Sequence, residues 1–455
     1  MPMSPAAPPA LCSLSLFSLA TLSALTPTLT QADEQLLHEI VASVSAERIQ
    51  QDIQTLAGFG TRHTLSDTVS DTRGIGAARR WIQAEFERIS AACGNCLEVF
   101  TVSDIVAGTN RIPDPVEVVN VVAIQRGTSD PNRFALMSGD IDTRISDPMN
   151  FTDDSPGAND NASGMAGVLE AARVLSRHRF AGSIIYTGLS GEEQGLNGGA
   201  ILAAHAQANG WNIDAVLNND MIGNIRGING VINNTTARVF SEGTRYTETT
   251  EEARQRRFQG GEVDSASRNL ARYIDVLADQ YIPNLDVMMV YRLDRFGRGG
   301  HHRPFNEIGL PAVRIMETNE NYRWQHQDIR IEEGVAYGDV IEHVDFAYAA
   351  KLTSLNAVTL ASLALAPAPP ANVSISGQVS PDTTLRWEKV PGATSYRLHW
   401  RLTTEPQWTH SRTVGDVAEF TLENTVIDNY FFGVSSISAR GVQSPVVFPG
   451  PAGAF

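Results

Sequence analysis

Asp140 and Asp142 close the stretch RFALMSGDID, where an apolar run from Phe134 to Met137 meets two carboxylates. Residues two apart on an extended chain point the same way. Carboxylates paired at a strand end repel unless a cation or a donor lies between them. A single stretch of this kind reads as an acidic turn, since Asp and Gly are common turn residues. Three more follow the same plan: Asp160 lies in the Gly-rich SPGANDNASG before a helical stretch, Glu192 and Glu193 follow the apolar SIIYTGL, and Asp220 ends AVLNND. Carboxylates from four connections on one rim call for cations. The late segment ETNENYRWQHQD adds His326, and carboxylates with imidazole suit zinc, or manganese and cobalt.

The order SGDID, GANDNASG, EEQGLNGG, NNDMIG and a C-terminal histidine resembles the two-zinc aminopeptidases, a family that includes bacterial leucyl aminopeptidases and, more distantly, glutamate carboxypeptidase II and the glutaminyl cyclases. The resemblance runs from LAGFGTRHT at Leu56 to Asp328. It implies that Asp160 bridges two metal ions, that Glu193 and His326 complete one site, and that Asp220 belongs to the other. It also implies Glu192 as general base and Asp142 as a carboxylate behind the ligands. The family has His-x-Asp where this chain has Asp140 followed by Asp142, so Asp140 stands at a ligand position that expects imidazole. Downstream, RFGRGGHHRPF carries His301-His302 where relatives read Asp-His. Our reading is that Asp140 and His301 lie near each other with their chemistry exchanged, His301 serving as compensating ligand or as partner of Asp140. Two zinc ions per chain are expected, with Mn²⁺ or Co²⁺ as other candidates and a single ion on Asp160, Glu193 and His326 as the alternative. An anionic Asp140 in place of imidazole should weaken the Lewis acid and favour harder ions. Tyr322 is a candidate for stabilising an oxyanion, with packing the competing role.

These residues need a frame. Strand-like stretches (EVVNVVAIQ, RFALMSG, SIIYTGLS, DAVLNND, PAVRIME) alternate with helical ones, among them Met165–Ser176 with Ser163 as its expected N-cap. The pattern predicts an α/β fold, a three-layer sandwich around a mostly parallel mixed sheet, whose ligands bind beyond the strand carboxyl ends. Residues 33–365 make the expected catalytic domain. The Pro/Ala-rich residues 366–371 read as a semi-rigid spacer. Residues 372–455, with alternating Leu385/Trp387, Tyr396/Leu398/Trp400 and Tyr430/Phe432/Val434, read as a small all-β sandwich resembling a fibronectin type III domain, a module for attachment to a surface or carbohydrate.

Residues 1–32 read as a signal peptide, apolar or small from Ala10 to Leu25 although no Lys or Arg precedes Arg48. No other segment is long and apolar enough to span a bilayer, so a secreted or periplasmic protein is expected. Cys93 and Cys96, in AACGNCLEVF, then suit a local disulfide. A net charge of −16 over 455 residues argues against a nucleic-acid partner. The expected function is an exported metal-dependent aminopeptidase acting on peptide N-termini, using a metal-activated water and Glu192. A cyclase or carboxypeptidase on the same fold, or a catalytically weakened binding protein, are the alternatives.

Overall fold

The structure, a computed structural model, describes residues 29–455. Most of the expected signal segment therefore lies outside the described residues. Helix α1 (Gln31–Ala42) is capped by Thr30, so a cut after Ala32 would remove that cap and the helix's first two residues.

One sheet organises the larger part of the chain. Its strands are β1 (Leu97–Val106), β2 (Val116–Gln125), β3 (Asp130–Asp140), β4 (Gly182–Leu189), β5 (Asn212–Asn219), β6 (Thr236–Ser241), β7 (Asp286–Val290) and β8 (Ala312–Glu317), in the spatial order β1-β2-β4-β3-β5-β8-β6-β7. The central strands β4, β3, β5 and β8 are parallel. Antiparallel pairs join β1 to β2, β2 to β4 and β6 to β8, and β6 and β7 are parallel again.

Side chains alternate between two cores, as strand geometry requires. Ala135, Met137, Ile184 and Tyr186 face a layer built from α1, α2 (Ala46–Gly58), α3 (Gly74–Ala92), α4 (Ala162–Leu175), α7 (Ala266–Tyr281) and α9 (Phe346–Leu365). Phe134, Leu136, Ile185 and Leu189 face α5 (Asn197–Ala208) and α8 (His302–Glu307). Burial on both faces explains why these strands read as short continuous apolar runs. The remaining helix, α6 (Thr250–Gln259), has no buried residue.

The start of α4 differs from expectation. Asn161, not Ser163, caps it, accepting from the Gly164 N–H at 3.0 Å, while the Ser163 hydroxyl donates to the Asn159 carbonyl at 2.7 Å. The helix lies close against the end of β3: a Cβ on Gly139 would come within 2.7 Å of the Gly164 and Met165 backbone.

The last 85 residues form two three-stranded antiparallel sheets, Ala371–Ser376, Thr383–Glu388 and Glu419–Leu422 in one, His410–Val414, Ala393–Leu402 and Tyr430–Ser438 in the other. Leu385, Trp387, Tyr396, Leu398, Phe432 and Val434 fill the space between them. The segment read as a spacer is not free. Arg133 donates to the Leu363 and Ala366 carbonyls at 3.0 and 2.7 Å, and Ser436 to that of Ala368 at 2.7 Å. Cys93 and Cys96 form a disulfide in the turn between α3 and β1.

Candidate active site

The acidic residues gather beyond the carboxyl ends of the parallel strands, where this architecture places ligands. Asp140 ends β3, Glu192 and Glu193 follow β4, Asp220 follows β5, and Asp160 precedes α4. His326 arrives from the loop after β8. Its Nε2 lies 2.8 Å from both Asp160 Oδ2 and Glu193 Oε1. One ligand atom from each of the three falls within 4.8 Å of the others.

Around this triad the chain fixes each member. Asp339 accepts from the Asn159 and Asp160 N–H groups at 2.8 and 2.7 Å, which holds the Asp160 loop. Asp142 accepts from the Glu192 N–H on one oxygen (3.1 Å) and from the Glu193 N–H (3.0 Å) and the Thr64 hydroxyl (3.1 Å) on the other. It thus sets the glutamate turn and stands apart from the triad. Arg144 donates to Glu193 Oε2 at 2.8 Å and to His326 Nδ1 at 2.7 Å.

The charges respond. Burial would raise Asp160 and Glu193, but His326 holds both below the usual carboxylate range. Burial would lower His326, but Glu193 and Asp160 push it up to about 9. An Arg144 N–H on Nδ1 makes that nitrogen an acceptor, which leaves the ring hydrogen on Nε2, facing both carboxylates. Glu192 is pushed well above its ordinary value, by burial first and then by Glu193, Asp220 and Asp140.

The other half of the rim is arranged differently. His301 Nδ1 lies 2.5 Å from Asp140 Oδ1, and Asn161 donates to Asp140 Oδ2 at 2.8 Å. Asp220 pairs through Oδ2 with the Arg314 guanidinium. Arg314 also meets both oxygens of Asp294, at 3.0 and 2.8 Å, and the Gly299 carbonyl at 2.8 Å. Burial would raise Asp294, but Arg314 foremost holds it below the carboxylate range. Tyr322 is 53% exposed.

Residues 120–330 match the model of peptidase family M28. A protein of Leptosphaeria maculans described as "Probable zinc metalloprotease" is 43% identical, over 92% of this chain and 98% of its own. The chain belongs to peptidase family M28. Another such protein, from Pyricularia oryzae, is 42% identical over 91% of this chain and 84% of its own. The fold of this M28 peptidase is also that of two solved Legionella pneumophila proteins. The LapA aminopeptidase is 20% identical with a TM-score of 0.51, covering 73% of this chain and 75% of its own. LapB is 17% identical with a TM-score of 0.53, covering 75% and 77%.

Family membership makes this a zinc metallopeptidase, a hydrolase acting on peptides. Asp160, Glu193 and His326 fit zinc: two carboxylate oxygens and one imidazole nitrogen already converge, and such a set would hold the ion through three protein ligands. A ring that ligates through Nε2 carries its hydrogen on Nδ1, so Arg144 must give up that contact when the ion is held. Asp140, Asp160 and Asp220 form no comparable set among the described residues.

Arg144, Arg314, Asp294, Asn161 and Asp339 were not anticipated from the sequence. For Arg314 a signal exists: it is the one cation inside the apolar strand PAVRIME, and a buried guanidinium needs partners.

Proposed function

We propose that the chain is an exported, zinc-dependent aminopeptidase that removes residues from peptide N-termini, with the ion held by Asp160, Glu193 and His326. The convergence of these three side chains beside Glu192 is the observation that carries the reading. A zinc ion in that set supplies a Lewis acid for the scissile carbonyl and brings the pKa of water from 15.7 toward ~7. Glu192 is the general base. Asp142 pins its backbone, and burial, with Glu193 beside it, raises its pKa, which makes the carboxylate a stronger proton acceptor that can pass the proton on to the leaving amine. The mainly acidic rim favours a substrate's ammonium end over its carboxylate end. The name of the LapA neighbour points the same way. The apolar Ala10–Leu25 stretch and the Cys93–Cys96 disulfide support export to an oxidising compartment.

The test is a substrate panel on the purified full chain. Aminoacyl-nitroanilides should be hydrolysed, their N-acetylated counterparts left intact, and activity lost in chelator and restored by zinc. Release of C-terminal residues from blocked peptides, or cyclisation of N-terminal glutamine, would replace the aminopeptidase reading with a carboxypeptidase or cyclase. Folded, zinc-loaded protein that turns over none of these would be a binding protein.

A further inference from the structure

We propose that the Arg314 guanidinium stands as a fixed cation where a second metal ion would otherwise sit, so that this chain binds one zinc ion and not two. The inference rests on the zinc-peptidase reading above and specifies its stoichiometry.

Three observations converge. Arg314 lies within the buried central strand β8 with no exposed surface. Its guanidinium is anchored by the two oxygens of Asp294 and the Gly299 carbonyl, so it faces Asp220 whether or not Asp220 is free. An ion on Asp220 would have to share that carboxylate with a full positive charge that cannot be deprotonated.

Next, both oxygens of Asp140 already have a partner. One takes the His301 ring and the other the Asn161 amide. The imidazole missing from the ligand position has become the partner of the carboxylate that replaced it.

Third, Asp140, Asp160 and Asp220 do not bring ligand atoms together as Asp160, Glu193 and His326 do. Arg314 is also near enough for its charge to bear on Asp140 and Glu192. It therefore does the electrostatic work of a second ion on the rim. It offers no Lewis acid and no site for water, because a guanidinium has donors only.

Zinc stoichiometry tests this directly. The full chain is dialysed to equilibrium against a range of buffered free zinc, and crystals are examined by anomalous diffraction at the zinc edge. One equivalent and one peak, at Asp160, Glu193 and His326, are expected. His326→Ala should abolish that equivalent, and Asp220→Asn should leave it in place. The double variant Arg314→Met/Asp140→His, which empties the guanidinium's place and returns the imidazole, should gain a second equivalent. Two equivalents in the unaltered chain, falling to one in Asp220→Asn, would overturn the proposal whether or not the double variant folds. A folded double variant that still takes one equivalent would also overturn it. Failure of the underlying reading is distinct: the unaltered chain would take no zinc at all.

Discussion

Glu192 and Glu193 are chain neighbours with different tasks because Asp142 accepts both of their N–H groups and sets the turn that places them. Glu192→Gln keeps the shape and removes the proton acceptor. It should retain zinc while kcat falls by roughly 10²–10⁴-fold, read by metal analysis beside steady-state kinetics. Arg144 is a positive charge against two ligands, and like charge opposes a divalent ion. Arg144→Met should bind zinc more tightly in competition with a chromophoric chelator; weaker binding would show that its hold on Glu193 matters more. At this scale the sequence reveals the carboxylates well, since each ends an apolar strand. It conceals Asp339, which reaches Asn159 from 180 residues away, because no local pattern encodes such a contact.

Elements are placed by backbone approach as much as by apolar pattern. Gly139 precedes Asp140 on β3 and meets the α4 backbone where a methyl group would sit 2.7 Å from it. Gly139→Ala should cost about 1–3 kcal/mol by overpacking and lower activity by displacing the Asp160 loop. Chemical denaturation and kcat measured together would check both. In the C-terminal sheets, burial foremost, with Arg397, holds His399 down to about 3. Its unfolded-state value is 6.5. Between these values the unfolded chain takes a proton that the folded chain refuses, so stability falls as pH drops through this window. By about pH 5 this one group should remove about 2 kcal/mol relative to neutrality. His399→Gln should flatten that part of the pH–stability curve. The strands β2, β3, β4, β5 and β8 were legible because they are apolar along much of their length. β7 mixes exposed and buried positions, and its place at the sheet edge has no comparable signature. The cap of α4 was misplaced by two residues, since Asn161 and Ser163 are both good capping types and only the fold decides between them.

Across the whole molecule, the division into a larger α/β part and a smaller all-β part was readable from the change in strand spacing, but the way they meet was not. Asp264, with no exposed surface, holds Arg401 of the small part at 2.7 and 2.9 Å and Arg272 of α7 at 3.0 Å. Arg272 also donates to the Pro406 carbonyl at 2.6 Å, and Trp408 to Asn269 at 3.2 Å. Nothing in ALAPAPPA announces such a junction, because its partners are far apart in sequence. Asp264→Ala would strand two buried guanidinium groups, a loss of about 3–5 kcal/mol. Calorimetry should show a lower transition for both parts together; a drop confined to one would mean that they unfold independently.

Asp33, in the first turn of α1, is buried beneath Arg440 of the C-terminal sheets, whose carbonyl also accepts the Thr30 N–H at 2.9 Å. The earliest described helix is therefore completed by a residue 407 positions further along the chain. Contacts of such sequence separation form slowly, so this helix should reach its final packing only after the two parts of the chain have come together.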